Sequence, residues 1–306
     1  MCTLPFFERP RSTLIYYRYE GEFFDGAFHG RGRYTWSDGG YYEGEYLAQK
    51  GGYIHGVIFP RPDGKRHGRG VRVWVSGNKY EGEWCDDQID GSGTLEMADG
   101  GKYTGSFKLG KREGEGTECW GNRLNIAYRC PMGFKHPGIG FCRYDGDWHD
   151  DMLHGRGTFT CIDGRECVRV RARSPVCRFL TAPRTPDRYV GTWYRGQRHG
   201  EGSMMMCPVH ERGDPRRRFI GGKNGLYRIL KYKGGWKNGR RSGRGVVEYC
   251  DGTKIVGEFE DGFPKGESNV IFADGKKKWA DFGLSGSRLA WVEKEDEEDE
   301  DQVDLD

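Results

Sequence analysis

The chain has no run of 18 or more apolar residues, so a membrane-spanning helix is not expected. Its opening residues, MCTLPFFERPRST, are too charged and too short in apolar length for a signal-peptide core. The apolar share is only 35% and the mean hydropathy is −0.84, too little for a thick globular core. None of the ten cysteines forms a CxxC pair and nothing suggests secretion, so reduced thiols in a soluble, cytoplasmic protein are the expectation. The phosphate-loop pattern GxxxxGK[ST] is missing, and GGKNG at residues 221–225 lacks both the earlier glycine and the hydroxyl residue. With no nucleophile elbow and no kinase signature set, the sequence reads as non-enzymatic, without a cofactor.

What the sequence has in abundance is glycine, 51 residues of it, beside 14% aromatics. Disordered chains are poor in aromatics, so this mixture points to short strands joined by tight turns. The fragment HGRG occurs at residues 29–32, 67–70 and 154–157, which directs attention to internal repetition. Aligned on Tyr19, a template emerges: Tyr at 0, Gly at +2, aromatic at +4, Gly at +7, His at +10, Gly at +11 and +13, Asp-Gly at +19 and +20. Units begin at Tyr19, Tyr42, Tyr80, Tyr103, Tyr144, Tyr189, Tyr232 and Ile255, with a 23-residue period lengthened by inserts.

Each template position has a physical reason. Tyr, Gly and the aromatic stand at period 2 and share one strand face, as in Tyr80, Gly82 and Trp84. The glycine between two rings is read as space for rings of the neighbouring repeat. A second strand places Tyr34 and Trp36, Leu95 and Met97, or Phe159 and Cys161 on the same face. Glycines at +7 and +11 are read as the turn within each repeat, and Asp-Gly as the turn between repeats. By this reading HGRG belongs to a turn. The whole is an all-β, elongated antiparallel β-hairpin meander, stabilised by stacking of nearest neighbours.

These residues resemble the MORN (membrane occupation and recognition nexus) repeat family. The likeness is carried by YEGEFFDGAFHGRG, YEGEWCDDQIDGSG, YDGDWHDDMLHGRG, YVGTWYRGQRHGEG and YKGGWKNGRRSGRG. It marks Tyr19, Gly21, His29, Gly30, Gly32, Tyr80, Gly82, Trp84, Tyr144, Gly146, Trp148, His154, Gly155, Tyr189, Gly191, Trp193, Tyr232, Gly234 and Trp236 as repeat-defining structural residues. The resemblance implies a twisted ribbon acting as a scaffold at membranes or cytoskeletal structures, often self-associating. Asp87 and Asp151 depart from it at +7 and Ser268 at +13, so irregular turns are expected in those units.

The resulting organisation is an N-terminal extension (1–18), a repeat array (19–292) and an acidic tail (293–306). Inserts lie near 47–66, 118–143, 165–188 and 208–231, and a degenerate cap spans 278–292. The tail carries ten acidic residues against one Lys, leaving about +12 on the rest of a chain of net charge +3. His29, His67, His154 and His199 recur once per unit, too far apart to share a metal. Cys119, Cys130 and Cys142 with His136 could in principle form a Cys3His zinc site, but their spacing is unlike the tight pairs of zinc modules, and free thiols are the expectation.

Two inserts are strongly basic. Each of residues 165–188 and 208–231 holds seven Lys or Arg against two acids. Arg169, Arg171, Arg173, Arg216, Arg217 and Arg218 are thus candidates for binding an anionic membrane surface. Three functional readings follow: a scaffold for unknown protein partners or further copies of itself, a phospholipid-binding protein, and remotely an insert-borne metal-dependent activity. Nucleic acid is not an expected partner.

Overall fold

The computed structural model describes residues 17–48, 64–120, 140–163, 187–206, 229–283 and 290–293. They form 18 antiparallel strands of one open sheet, with no helix among the described residues. The chain divides into two units. The first contains β1 (Arg18–Phe24), β2 (Ala27–Thr35), β3 (Tyr41–Ala48), β4 (Gly64–Val73), β5 (Lys79–Cys85), β6 (Gln88–Glu96), β7 (Lys102–Lys108) and β8 (Lys111–Trp120). It also takes in residues 147–152, at the turn between β9 (Gly140–His149) and β10 (Met152–Asp163). The remainder of β9 and β10 lies in the second unit with β11 (Asp187–Tyr194), β12 (Gln197–Met205), β13 (Ile229–Lys237), β14 (Arg240–Tyr249), β15 (Lys254–Glu260), β16 (Phe263–Ile271), β17 (Lys277–Asp281) and β18 (Ala290–Val292). Within each unit, strands adjacent in sequence pair with one another, so the architecture is a hairpin meander.

The turn inside a repeat spans two residues at +6 and +7, both left-handed: Asp25 and Gly26 at φ 50° and 77°, Asn238 and Gly239 at 50° and 78°. Positive φ at both positions is the two-residue hairpin whose twist matches its strands. Asp87 (φ 71°) and Asp151 (φ 64°) adopt the same conformation without glycine, so the expected irregularity is absent. The turn between repeats is a different type. Only its glycine is left-handed (Gly39 at φ 89°, Gly100 at 91°), and the Asp before it accepts the backbone N–H two residues on, as Asp38 does from Gly40 at 2.8 Å.

HGRG is not a turn. Residues 29–32 lie inside β2, where Gly21 pairs with Gly32 but Glu22 already pairs with His29, so Gly30 and Arg31 bulge out. Gly30, at φ 59°, belongs to this bulge and not to the hairpin loop. The same shift recurs between Gly82 and Trp84, Gly105 and Phe107, and Gly191 and Trp193. The carbonyl facing the bulge loses its ladder partner, and the tyrosine hydroxyl of the same repeat supplies one. Tyr19 donates to the Glu22 carbonyl at 2.9 Å, Tyr80 to Glu83 at 3.0 Å, Tyr189 to Thr192 at 3.0 Å and Tyr232 to Gly235 at 2.9 Å. A Phe in that position would leave the carbonyl unsatisfied.

The glycines at +2 and +13 stand opposite one another beneath that tyrosine. A Cβ on Gly32 would lie 2.3 Å from the Tyr19 hydroxyl, and one on Gly93 2.4 Å from that of Tyr80. The space is therefore kept for the repeat's own ring, not for a neighbour's as the sequence suggested. Repeat eight supports this account: Ile255 replaces the tyrosine, and Ser268 then occupies the second glycine position, fully buried.

Candidate docking groove

The aromatic face of the sheet is assembled by a rule linking each repeat to the next. In the first unit, rings at 0 meet the +4 ring of the following repeat edge to face: Tyr42 and Trp84 at 5.2 Å, Tyr80 and Phe107 at 5.3 Å, Tyr103 and Trp148 at 5.3 Å. The second unit repeats the pattern in Tyr144 with Trp193 at 5.7 Å and Tyr189 with Trp236 at 5.4 Å. Each indole N–H then donates to the carbonyl of the preceding repeat's second glycine, as Trp84 does to Gly70 at 3.3 Å and Trp236 to Gly202 at 3.2 Å. Tyr42, Tyr80, Tyr103, Tyr144, Tyr189 and Tyr232 are fully buried. Burial pushes the Tyr103 hydroxyl up to about 12.

An arginine at +9 clamps several of these joints, a role the template did not reveal. Arg66 lies 4.5 Å over Trp84, its Nε donates to the Asp87 carboxylate at 2.8 Å, and its Nη2 donates to the Asp87 carbonyl at 2.8 Å. Arg112 does the same with Trp148 and Asp151. Arg198, 4.2 Å over Trp236, donates to the Gly239 carbonyl at 2.7 Å. This is why aspartate is tolerated at +7: its carboxylate and carbonyl are both held by the previous repeat. The legible signal was an arginine directly before HG or its equivalent, at positions 66, 112, 198 and 241.

Repeat four adds a buried carboxylate. Glu118 stands where most other repeats carry an apolar or aromatic side chain and repeat two carries Arg72, is 3% exposed, and accepts from Arg112 Nη1 at 2.6 Å. Burial raises its carboxyl to about 7; the Arg112 charge opposes that rise and Asp151 adds to it.

The opposite face of the first unit carries an open groove of about 1170 Å³. Its floor includes Gly32, Gly44, Gly70, Gly82, Gly93 and Gly105. These stand in one register, each opposite the next across β2 to β7, and turn their backbone to the groove between the side chains of alternate residues. The walls hold six glutamates (Glu20, Glu43, Glu45, Glu81, Glu96, Glu115) and five cations (Arg31, Arg33, Arg69, Lys79, Lys102). Such a balance suits a partner carrying both signs and does not select a polyanion. The charges are in part matched in place: Arg33 with Glu43 at 3.4 Å, Lys79 with Glu81 at 3.0 Å, Lys102 with Glu96 at 3.1 Å. Thr94 and Thr104 meet hydroxyl to hydroxyl at 3.2 Å.

The tyrosines, glycines and tryptophans singled out from sequence lie on or beneath the aromatic face and form its packing. The histidines sit at the bulges: His29 Nδ1 accepts from the Ala48 N–H at 3.3 Å, and His154 and His199 flank the Tyr194 ring at 5.5 and 5.7 Å. No group of metal-ligating side chains occurs among the described residues. Arg169, Arg171, Arg173, Arg216, Arg217 and Arg218 lie outside the described residues, as do Cys130 and His136. One cysteine expectation is corrected. Cys142 and Cys161 are joined in a disulfide across the β9–β10 hairpin, so Cys142 is neither a free thiol nor a candidate zinc ligand. The two stand beside the ends of separate inserts, and their proximity comes from strand pairing that spacing alone does not display.

The family model for the MORN repeat matches residues 19–41, 63–79, 80–102, 103–124, 144–164, 189–205 and 232–254. No curated protein matches the chain. The unit at Ile255 is not among the matched segments, although β15 and β16 form its hairpin. Seven matched repeats, folded as successive hairpins with the tyrosine over its glycine pair, make this chain a member of the MORN-repeat family.

Proposed function

We propose that this protein is a non-enzymatic scaffold that holds a protein segment of mixed charge in the groove of its first unit. MORN repeats are generally non-enzymatic, and the observation that carries the reading is an open groove with a backbone floor walled by both signs of charge. An extended segment can approach such a floor closely while its side chains meet the walls. Reversal of two wall charges, Arg33→Glu with Arg69→Glu, tests it. Proteins cross-linked to the wild-type chain in its native cell should be lost from the variant, and an unchanged set would remove the groove from consideration. This proposal includes a cytoplasmic scaffold, with association to a membrane or cytoskeletal structure as the resemblance implies.

A second reading, binding of anionic phospholipid through the basic inserts, is favoured by their composition, net +5 in each of residues 165–188 and 208–231. Co-sedimentation with phosphatidylserine vesicles should strengthen on deletion of residues 293–306 and weaken with salt. Salt-independent binding indifferent to the tail would eliminate this reading.

A further inference from the structure

Arg66, Arg112, Arg198 and Arg241 each donate to a turn carbonyl of the following repeat. Arg72 lies on the same aromatic face, opposite Tyr42 and Tyr80 in the ladders of β4 with β3 and β5, but its side chain makes no hydrogen bond or ion pair among the described residues. Its guanidinium carbon stands 4.0 Å over the Trp36 ring and 5.1 Å over the Trp74 ring, and its Nε is closed off from water with no acceptor. The two indoles are unspent as well. Trp84 and Trp236 donate to glycine carbonyls, whereas neither Trp36 nor Trp74 gives its ring N–H to a group among the described residues, and both rings are half-buried, within reach of solvent.

An arginine is costly at this position, which holds Tyr34, Leu95, Met204 and Val247 in other repeats. Burial and the neighbouring Arg66 charge lower its pKa, and Asp38 only partly offsets them. Ring attraction alone leaves its donors without acceptors. We infer that Arg72, between Trp36 and Trp74, is a docking point for a protein partner's carboxylate, a glutamate or aspartate carried between apolar residues. A planar carboxylate matches the guanidinium fork, and apolar neighbours suit the indoles. Charge selects it over phosphate: Arg66 is committed to Asp87, so the site offers one unspent positive charge, and a phosphate dianion would be left half neutralised. This surface lies on the face away from the mixed-charge groove and does not depend on it.

The probe is a blocked Leu-Glu-Leu peptide added to the full chain, with Leu-Gln-Leu and inorganic phosphate at matched ionic strength beside it. Binding is read by retention of the peptide in equilibrium dialysis and by the Arg72 Nε–Hε magnetic resonance signal, assigned through its loss in Arg72→Leu. The glutamate peptide should shift that signal saturably, the glutamine peptide should leave it in place, and phosphate should act at least about tenfold more weakly, equal to about 1.4 kcal/mol. Arg72→Leu, which copies Leu95 of the next repeat, should reduce retention by a similar factor and yet unfold at a higher temperature, because it removes a cation without an acceptor from the ring row. Arg72→Lys, which keeps the charge but not the fork, should bind between the two. Deletion of residues 293–306 should leave the signal where it is. No shift with the glutamate peptide overturns the proposal, as does an equal shift with the glutamine peptide or with phosphate. A less stable Arg72→Leu protein overturns it by assigning Arg72 to packing, and a signal that moves on loss of residues 293–306 does so by assigning the site to the chain's own tail.

Discussion

Arg112 and Asp151 are joined by four hydrogen bonds. The Asp151 N–H donates to the Arg112 carbonyl at 3.2 Å, and Arg112 gives its backbone N–H and Nε to the carboxylate and Nη2 to the carbonyl at 2.9 to 3.0 Å. One side chain thus stitches a repeat turn to the strand before it, and the same guanidinium neutralises buried Glu118. Arg112→Ala should destabilise the protein by on the order of 3 kcal/mol, because it leaves a buried carboxylate unpaired. Urea unfolding of the two proteins checks this, and Arg112→Lys, which keeps the charge but not the planar fork, should fall between them.

Glu118 also predicts a pH signature. Its folded carboxyl is raised from 4.5 to about 7, so the folded state binds this proton more tightly than the unfolded one. Its contribution to stability is full below the unfolded value and is lost as pH rises through the folded value. Glu118→Gln cannot titrate. The stability difference, wild type minus variant, should therefore shift against the wild type between pH 4.5 and 7 and be flat above, as read from unfolding midpoints across that range.

The glycines fall into two classes with different costs. Gly93→Ala drives a methyl to 2.4 Å from the Tyr80 hydroxyl and should cost about 2 to 3 kcal/mol by overpacking. Gly110→Ala meets open space and pays only for its left-handed φ of 81°, roughly 1 kcal/mol. Thermal unfolding should rank the first variant well below the second, and equal losses would contradict the assignment of the ring to its own repeat.

The Cys142–Cys161 bond closes a loop with a sequence separation of 19. Replacing both cysteines with serine should lower stability by about 3 kcal/mol if the oxidised form is the reference. Non-reducing peptide mapping establishes the pairing, and the loss should vanish when wild type and variant are compared in strong reductant.

Much of the fold was legible because period-2 placement of Tyr, Gly and Trp dictates a strand face, and because 23 residues return the same pattern. HGRG was misread because a glycine with positive φ signals a turn and a bulge alike; only the pairing of Glu22 with His29 tells them apart. The role of Tyr over Phe depends on a carbonyl stranded by that bulge, which no single-residue pattern displays. The arginines at 66 and 112 were hidden for a different reason. Their partners, Asp87 and Asp151, are 21 and 39 residues away, and they read as defects until the clamp is seen. The groove was missed because its walls are the polar residues that alternate with the template positions, which the period-2 pattern marks only as the outer face.

That row of glycines has a mechanical meaning. From Gly21 to Gly116 a line one residue wide crosses β1 to β8 without a single side chain, which makes it a crease in the sheet. Folding toward the aromatic side is blocked, since the tyrosine rings already rest on the backbone there. The rings thus stiffen the first unit against bending toward their own side, and the ladder hydrogen bonds run along the crease.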